Sequence, residues 1–411
     1  MEKFRLTKLE KAWILYDIGN SAFILIVSTI IPIYFEYLTS LDNISNSDYV
    51  AYWGYASSIA TLIVAVIGPV FGAISDNKNF KKPIFAVSLF VGAISCAMLG
   101  LASHWLVFIT IFIVAKVGYS SSVVFYDSML PDITSEERMD VVSSQGYAWG
   151  YIGSCIPFAL GLVLVLQGES LFGFSLSTSM TIAFLIVAVW WVLTTIPLLK
   201  NYKQIHYVET KKGAVKESFT RLFNTLTKLK ENKKVFIFMI AFFFYIDGVY
   251  TIIEMATAYG TALGLSSDNL LLALLATQLV GFPSAIVFGR LSKKHSVTNL
   301  ITICIVAYIG IALFALFITH QTHFWILAIV VGLFQGGIQA LSRSYFAKII
   351  PPEKSGEFFG LFDICGKGAS FFGTLLMAMA TQLTNNPNVG VAMLSVLFVI
   401  GLLLFRKQAK M

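Results

Sequence analysis

Long apolar segments separated by short polar ones run along the whole chain. A helix that crosses a bilayer needs about 20 mostly apolar residues. Twelve segments meet that requirement: 12–38, 49–75, 82–102, 105–130, 141–167, 178–199, 235–262, 268–291, 297–319, 323–349, 357–382 and 386–405. Apolar and polar residues do not alternate within these segments, as they would in a β-barrel. The pattern predicts an all-α integral membrane protein with twelve transmembrane helices.

The longest polar stretch, residues 200–234, separates the sixth predicted span from the seventh. It holds ten Lys/Arg and three Glu, and the run SFTRLFNTLTKL within it has the pattern of an amphipathic helix. We interpret it as a basic cytosolic linker that anionic lipids attract. The predicted domains are an N-terminal six-helix bundle (1–199), the linker (200–234) and a C-terminal six-helix bundle (235–411).

The basic residues predict the orientation of the chain. Of the 29 Lys/Arg, Lys116, Arg343 and Lys367 lie well inside predicted spans, and the other 26 lie at the two termini, in the loops on one side or at the span ends that border those loops. Cytoplasmic loops carry an excess of Lys and Arg, so both termini are predicted to be cytoplasmic. The same distribution explains the net charge of +7 without a nucleic-acid partner.

The composition also narrows the possible functions. The chain is 57% hydrophobic and 12% charged, whereas soluble domains carry roughly 25% charged residues. The four Cys and five His show no metal-ligand spacing, and the sequence contains no phosphate-binding loop of an ATP-driven pump. We therefore expect no cofactor, no metal and no catalytic residues. The expected partners are the lipid bilayer, protons and a small-molecule substrate, and we expect the protein to be a monomer.

The two halves of the sequence resemble each other. Pro131 and Pro351 each follow a predicted span, and each is followed by glycines 15 and 22 residues later: Gly146 and Gly153, then Gly366 and Gly373. The first span carries Tyr16-Asp17-Ile18-Gly19, and the seventh carries Tyr245-Ile246-Asp247-Gly248. These matches predict two pseudo-repeated six-helix bundles, the layout of transporters that bind substrate where the halves meet.

Charged side chains near the middle of a span are the strongest functional candidates, because each is costly in hydrocarbon unless it is paired or hydrated. Asp247 lies at mid-span, where a carboxyl group can take up a proton and release it when its access to water changes. Glu254 is seven residues further on and so lies on the same helix face. Lys116 could hold a substrate carboxylate or neutralise an acid on the first or seventh span. Lys367 is a further candidate, but it is also placed to pair with Asp363 one helical turn away.

A second group of charged residues lies near the cytoplasmic ends of the spans: Asp17, Asp127, Arg343 and Asp363. One interpretation is a set of structural ion pairs, or of charges that reach water by extending along the helix. Another is a cytoplasmic gate in which these residues pair only when the inner side closes. A role in substrate binding is a third.

The loop after the second span reads GPVFGAISDNKNFKKP and contains Gly72, Asp76, Lys81 and Lys82. It resembles the conserved loop of the major facilitator superfamily, in which an acid and bases tie neighbouring helix ends together. Asn79-Phe80 stands where a glycine is usual, and the second copy, GRLSKKHS at 289–296, has Lys293 where the acid is expected.

Four further runs resemble one branch of that superfamily, the autophagy-related vacuolar amino-acid effluxers and their bacterial permease relatives. They are WILYDIGNSAF (13–23), FYDSMLPDI (125–133), GYAWGYIGS (146–154) and GGIQALSRSYFAKIIP (336–351). The resemblance implies the major facilitator fold and export of amino acids. It also implies a cavity lined by spans one, four, seven and ten, which adds Asn20, Gln335 and Gln339 as polar candidates. Asn and Gln can equally serve as contacts between helices.

The sequence thus predicts a secondary transporter that moves a small polar solute, an amino acid or similar, outward by alternating access with proton coupling. We place it in a bacterial plasma membrane. Within transport, the alternatives are a sugar, nucleoside, drug or lipid-like substrate, or uniport. A receptor or scaffold is disfavoured because it would have little use for buried charges in both halves, and the lack of a catalytic pair disfavours an enzyme.

Overall fold

The computed structural model describes residues 5–27, 29–209, 214–264, 267–367 and 370–411, and these are almost entirely helical. The helices are α1 Lys8–Val27, α2 Ile30–Leu41, α3 Asn46–Ser75, α4 Lys81–Met98, α5 Trp105–Ser128, α6 Leu130–Ile133, α7 Met139–Phe172, α8 Leu176–Asn201, α9 Ala214–Lys228, α10 Lys233–Ala262, α11 Ser267–Leu291, α12 Val297–Phe314, α13 Gln321–Ile349, α14 Ser355–Lys367, α15 Ser370–Thr384 and α16 Pro387–Gln408.

Eleven helical segments of the described chain are long and apolar enough to cross a membrane. They correspond to eleven of the predicted spans, and the first of them, Lys8–Leu41, combines α1 and α2. The predicted span 357–382 corresponds to α14 and α15, on either side of residues 368 and 369, which lie outside the described residues. Large apolar side chains such as Leu62 and Val66 are more than two-thirds exposed on these helices, as expected of a lipid-facing surface.

The chain forms two compact units. The first comprises Met1–Ile133, Trp149–Phe219 and Glu353–Gly360. The second comprises Thr134–Ala148, Thr220–Pro352 and Leu361–Met411. The start of α7 therefore belongs to the second unit and the start of α14 to the first, so each unit includes a helix beginning from the other half of the sequence.

The core of the first unit is built on aromatic rings of α1 and α5. Trp13 stacks on Tyr126 with ring centres 4.3 Å apart, and its indole Nε1 donates to the Tyr126 carbonyl at 3.1 Å. Tyr16 packs between Tyr126 and Phe85, and its hydroxyl shares a 2.6 Å hydrogen bond with Ser122. Tyr16 is fully buried, and this hydrogen bond avoids the cost of an unpaired hydroxyl in the core.

The second unit repeats this arrangement. Phe242 stacks on Phe362 with ring centres 4.0 Å apart, and Phe346 stacks on the same ring at 4.4 Å. Tyr245 of α10 shares a 2.7 Å hydrogen bond with Ser342 of α13, as Tyr16 of α1 does with Ser122 of α5. The first and fourth long helices of each half are therefore joined by the same buried tyrosine–serine contact.

Candidate functional site

Asp247 lies in the middle of α10 and its side chain is fully buried. Its Oδ1 accepts hydrogen bonds from the backbone N–H of Gly373 at 2.9 Å and from the Thr251 hydroxyl at 3.4 Å. Among the described residues, its Oδ2 has no hydrogen-bond partner. None of the described basic side chains forms an ion pair with it; the side chain of Lys367 lies outside what the structure describes. The carboxyl group is thus held by neutral donors on one oxygen only.

A glycine is required where α15 meets this carboxyl group. A Cβ atom built on Gly373 would stand 2.6 Å from Asp247 Oδ1 and would overlap the Thr251 hydroxyl. Any larger residue would push the helix away and lengthen the N–H···O hydrogen bond to Asp247. The position of the acid therefore depends on the absence of a side chain at residue 373.

A pocket in the second unit begins just beyond Thr251 on α10. It is a partly open pocket of about 650 Å³, solvent space included, between α10, α11, α13, α15 and α16, and most of its lining side chains are aliphatic. Gln335 lines it and is only 2% exposed, and its Nε2 has no hydrogen-bond partner among the described residues. A buried amide that is not paired can bind a polar group of a ligand, since leaving it unpaired is costly. Gln339, one turn further on, is half-buried.

The other predicted mid-span charges have less enclosed surroundings. Glu254, two turns beyond Asp247, is exposed. Lys116 is half-buried on α5, with its Nζ 6.0 Å from the centre of the Phe112 ring. The structure thus separates Asp247, which is enclosed, from Glu254, which is exposed, although the two lie on the same face of α10 two turns apart.

Asp17 is held by hydrogen bonds within the first unit. Tyr126 donates its hydroxyl to Asp17 Oδ2 at 2.8 Å, and Asn20 donates its side-chain amide to Oδ1 at 3.2 Å. The same amide donates to the Tyr16 carbonyl at 3.1 Å. Asn20 is 5% exposed. These contacts join Asp17 and Asn20 to the aromatic core of α1 and α5.

Arg343, another predicted gate residue, is buried against the beginning of α7. Its Nε donates to the Ser143 hydroxyl at 2.9 Å and its Nη2 to the Ser143 carbonyl at 3.0 Å. The guanidinium lies 4.4 Å from the centre of the Tyr147 ring, the geometry of a cation–π contact. Asp127 and Asp363 are both half-buried.

Asp140, at the beginning of α7, and Lys348, near the end of α13, form a contact that the sequence does not predict. Asp140 accepts from Lys348 Nζ at 2.6 Å and from the Ser344 hydroxyl at 2.7 Å, and the Ser143 hydroxyl donates to the Ala340 carbonyl at 2.7 Å. Asp140 lies at the boundary of a predicted span and Lys348 among loop bases. Nothing local in the sequence links them, because about 200 residues separate them.

The superfamily-like loop holds the beginning of α14. Asp76 is fully buried, and its carboxylate accepts from the backbone N–H of Gly356 at 2.7 Å and of Glu357 at 2.9 Å. These are the first N–H groups of α14, which have no partner within the helix and carry the positive end of its dipole. Lys81 lies 3.6 Å from Asp76 and donates to the Ser355 hydroxyl at 2.7 Å. Lys82, the next residue, is half-buried.

Two pairs of glycines bring α3 and α14 into this contact. Gly68 of α3 faces Gly360 of α14, and Gly72 faces Gly356. Within each helix the two glycines are four residues apart, so they lie on one face. A Cβ on Gly356 would stand 2.5 Å from the Gly72 carbonyl oxygen, and a Cβ on Gly360 would stand 2.6 Å from that of Gly68. Glycine is therefore the residue that lets the two backbones approach closely enough for Asp76 to reach the helix beginning.

Asp132 and its partners form another polar cluster that the sequence does not predict. It joins the beginning of the linker to the rest of the first unit. Asp132 accepts from the Tyr202 hydroxyl at 2.6 Å, from the His206 backbone at 2.8 Å and from His206 Nδ1 at 2.9 Å. Burial alone would raise the pKa of Asp132, but the hydrogen bond from His206 and the charge of Lys81 outweigh it and lower the pKa. The hydrogen bond to Asp132 in turn raises the pKa of His206 above its ordinary value of 6.5. Both shifts favour the ionic form of the pair.

Comparisons with known proteins agree with this arrangement. The family described as "Vacuole effluxer Atg22 like" matches residues 43–407. The MFS-type transporter YxiO of Bacillus subtilis is 41% identical over 405 residues, which cover 97% of this chain and 94% of that protein. Autophagy-related protein 22 of Kluyveromyces lactis is 23% identical over 459 residues, covering 96% of this chain and 92% of that protein.

Solved structures of transporters share the fold. The major facilitator superfamily transporter FucP, in the outward conformation, aligns with a TM-score of 0.72 and 12% identity over 98% of this chain and 97% of its own. A bacterial homologue of the iron transporter ferroportin aligns with a TM-score of 0.70 and 14% identity over 98% of this chain and 99% of its own. The prediction of an all-helical major facilitator fold is confirmed. The chain is a multi-pass membrane protein and belongs to the Atg22-like effluxer family of major facilitator superfamily transporters.

Proposed function

We propose that the protein exports a small polar solute, an amino acid or a similar zwitterion, by proton-coupled alternating access, and that Asp247 carries the proton. It acts as a transporter and not as an enzyme. The description of its family as effluxers supports the outward direction, and the bacterial relative supports a plasma membrane location. The basic residues on one side of the predicted spans support cytoplasmic termini. We further propose that it works as a monomer.

The observation that carries the proton role is the setting of the Asp247 carboxyl group. It is fully buried in a membrane-spanning helix, and only its Oδ1 accepts hydrogen bonds among the described residues. Holding a carboxylate there is costly, and the cost falls when a proton is taken up. A change of access between the two sides of the membrane would then load and release that proton.

The solute site is proposed to lie on the helices that carry Asp247 and Gln335. Gln335 is the buried polar group of the adjoining pocket that lacks a partner among the described residues. Lys116, Lys367, Glu254 and Gln339 remain candidates for contact with a charged solute. The cytoplasmic gate formed by Asp17, Asp127, Arg343 and Asp363 also remains a proposal.

The experiment is a flux assay in liposomes that contain the purified protein and a mixed pool of labelled amino acids, with sugars and nucleosides in parallel vesicles. We expect an imposed pH gradient to drive amino-acid movement and to leave the sugars and nucleosides in place. A transport rate that depends on neither the pH gradient nor the membrane potential would contradict proton coupling. Selective transport of a sugar or nucleoside would contradict the proposal that the solute is an amino acid or a similar zwitterion. A Gln335→Leu variant is expected to raise the KM for the solute and to leave proton coupling intact.

A further inference from the structure

The first residues of the linker are fixed to one buried carboxyl group. Residues 202–208 lead from the end of α8 into the linker, and we call them the linker strap. Asp132 Oδ1 accepts from the backbone N–H of Ile205 at 3.2 Å and from that of His206 at 2.8 Å. Asp132 Oδ2 accepts from the Tyr202 hydroxyl at 2.6 Å. Three residues of the linker strap therefore bind the same side chain of the first unit.

The linker strap also contacts the loop between α3 and α4. The Gln204 side chain donates to the Ser75 carbonyl at 3.1 Å and accepts from the backbone N–H of Lys81 at 3.4 Å. The Val208 N–H donates to the Asp76 carbonyl at 2.8 Å. Because the carboxylate of Asp76 holds the first N–H groups of α14, the linker strap is bonded to the loop on which α14 begins.

His206 is the residue of the linker strap whose charge changes closest to neutral pH. Its Nδ1 lies 2.9 Å from Asp132 Oδ1, and its side chain is one-third exposed, so protons in solution can reach it. The hydrogen bond to Asp132 raises the pKa of His206 and outweighs burial, which lowers it. The charges of Asp132 and Glu353 raise this pKa further, and the charge of Lys81 opposes them.

One proton therefore acts on two attachments. When His206 is charged, it forms an ionic contact with Asp132 and attracts Glu353, which lies two residues before α14 begins at Ser355. When His206 is neutral, it keeps at most a neutral hydrogen bond, and such bonds are roughly half as strong as charge-assisted ones. The ionic contact is fully present below pH 6.5 and is lost as the pH rises through the raised pKa.

The beginning of α14 matters because this helix belongs to both compact units. Its residues up to Gly360 belong to the first unit, and those from Leu361 onward belong to the second. It is held at its beginning by Asp76, and α15, the next helix of the same predicted span, donates the Gly373 N–H to Asp247. Displacement of this span relative to Asp247 is easier when its beginning is free to move.

We propose that the linker strap is a cytosolic pH brake on transport. While His206 is protonated, the linker strap is fastened to Asp132 and restrains the beginning of α14, and loss of the proton loosens both. In an exporter that admits protons as solute leaves, acidification of the cytosol would then fasten the linker strap and slow further proton entry. The brake rests on the proposed function, whereas the attachment of the linker strap to Asp132 does not.

The attachment is tested with a spin label at Ile205→Cys in the full-length protein, with the four native cysteines replaced by alanine. The Ile205 side chain is 60% exposed while its N–H binds Asp132, so the label follows the linker strap without filling its contacts. The control label is Lys410→Cys, at an exposed position of the second unit. Electron paramagnetic resonance in liposomes measures the mobility of each label at about pH 6 and about pH 9.

We expect the label at residue 205 to become more mobile at the higher pH, and this change to be absent in a His206→Gln background. The label at residue 410 should not respond to pH in either background. Equal mobility at residue 205 at the two pH values would overturn the proposal. A pH response that is as large in His206→Gln would overturn the role of His206.

The brake is tested by exchange of labelled amino acid across liposomes that have the same pH and the same solute concentration on both sides. At about pH 6 we expect His206→Gln to exchange solute roughly two- to five-fold faster than the wild type, a modest factor because a partly exposed ionic contact is screened. At about pH 9 the two rates should be equal, which also shows that the variant is folded. Any pH dependence that arises from Asp247 is common to both proteins.

Equal rates at the lower pH, or a slower His206→Gln protein, would overturn the brake. A wild type that exchanges no amino acid at either pH would contradict the proposed function and the brake with it. The label at residue 205 would then still decide whether the proton on His206 fastens the linker strap.

Discussion

The two halves of the molecule place a glycine against the first helix in the same way but meet it with different side chains. Ile18 comes two residues after the buried Tyr16, and Asp247 comes two residues after the buried Tyr245. A Cβ on Gly153 would stand 2.5 Å from Ile18 Cγ2, just as one on Gly373 would stand 2.6 Å from Asp247 Oδ1. One half fills this contact with an aliphatic group and the other with a carboxylate.

That difference indicates why the acid is present. Packing does not require it, because isoleucine serves in the equivalent contact of the first half without burying a charge. A buried carboxylate with one unpaired oxygen would normally be replaced by an apolar side chain unless its chemistry were used. The aspartate at 17, one residue earlier in the repeat, instead accepts hydrogen bonds on both carboxylate oxygens, from the Tyr126 hydroxyl and the Asn20 amide.

The largest effect is expected when the second half is given the side chain of the first. We expect Asp247→Ile to fold, because the same contact exists in the first half, but to lose gradient-driven flux by about 10²-fold or more, the typical effect of removing a proton-transfer group. Flux under an imposed pH gradient and the thermal unfolding temperature measure the two outcomes. An Asp247→Ile protein that keeps gradient-driven transport would remove the acid from the mechanism.

A smaller effect is expected when each glycine is filled in turn. Gly153→Ala and Gly373→Ala should each destabilise the protein by about 1–3 kcal/mol through overpacking. Only Gly373→Ala should also change the pH dependence of transport, since its methyl group displaces the Asp247 carboxyl group. Thermal unfolding and pH profiles of flux compare the pair, and an equal shift of the pH profile in both variants would show that the two contacts are not functionally distinct.

The tyrosine–serine contacts should respond alike in both halves. Tyr16→Phe and Tyr245→Phe each remove one buried tyrosine–serine hydrogen bond, and each should cost roughly 0.5–1.5 kcal/mol of stability. Urea or thermal unfolding in detergent measures this loss. A loss confined to one half would contradict the structural equivalence on which the comparison rests.

The smallest effect concerns pH and the Asp132–His206 contact of the first unit. The pKa of His206 is raised, so its stabilising contact with Asp132 is fully present below pH 6.5 and is lost as the pH rises through the raised value. Raising the pH from 6 to 9 should therefore lower the unfolding temperature of the wild type slightly more than that of His206→Gln. The effect is small because the His206 side chain is about one-third exposed and solvent screens it.

The sequence predicts the helices well because hydrophobic length and basic loops are local signals. It also predicts the repeat, since Gly153 and Gly373 occupy the same offset from a proline. The reason for those glycines, contact with Ile18 and Asp247, cannot be seen in the sequence because it joins helices more than 100 residues apart. The span 12–38 likewise hides a division between α1 and α2.

The polar clusters show more clearly which contacts cannot be predicted from the sequence. Asp247 stands out in the sequence as a charge inside an apolar run, whereas Asp132 and Asp140 lie near span ends, where charges are common. Their partners His206 and Lys348 are 74 and 208 residues away along the chain. Only the fold brings these groups together, and side-chain hydrogen bonds at such separations leave no periodic pattern.

The most direct test of the account is the movement of protons with solute in the matched variants Asp247→Asn and Asp17→Asn. Each is reconstituted with a pH-sensitive dye inside the vesicles, and the transported amino acid is added outside with no imposed pH gradient. We predict that the wild type and Asp17→Asn change the internal pH as solute moves, and that Asp247→Asn exchanges solute across the membrane with no change in internal pH. Proton movement in Asp247→Asn equal to that of the wild type would contradict the central claim.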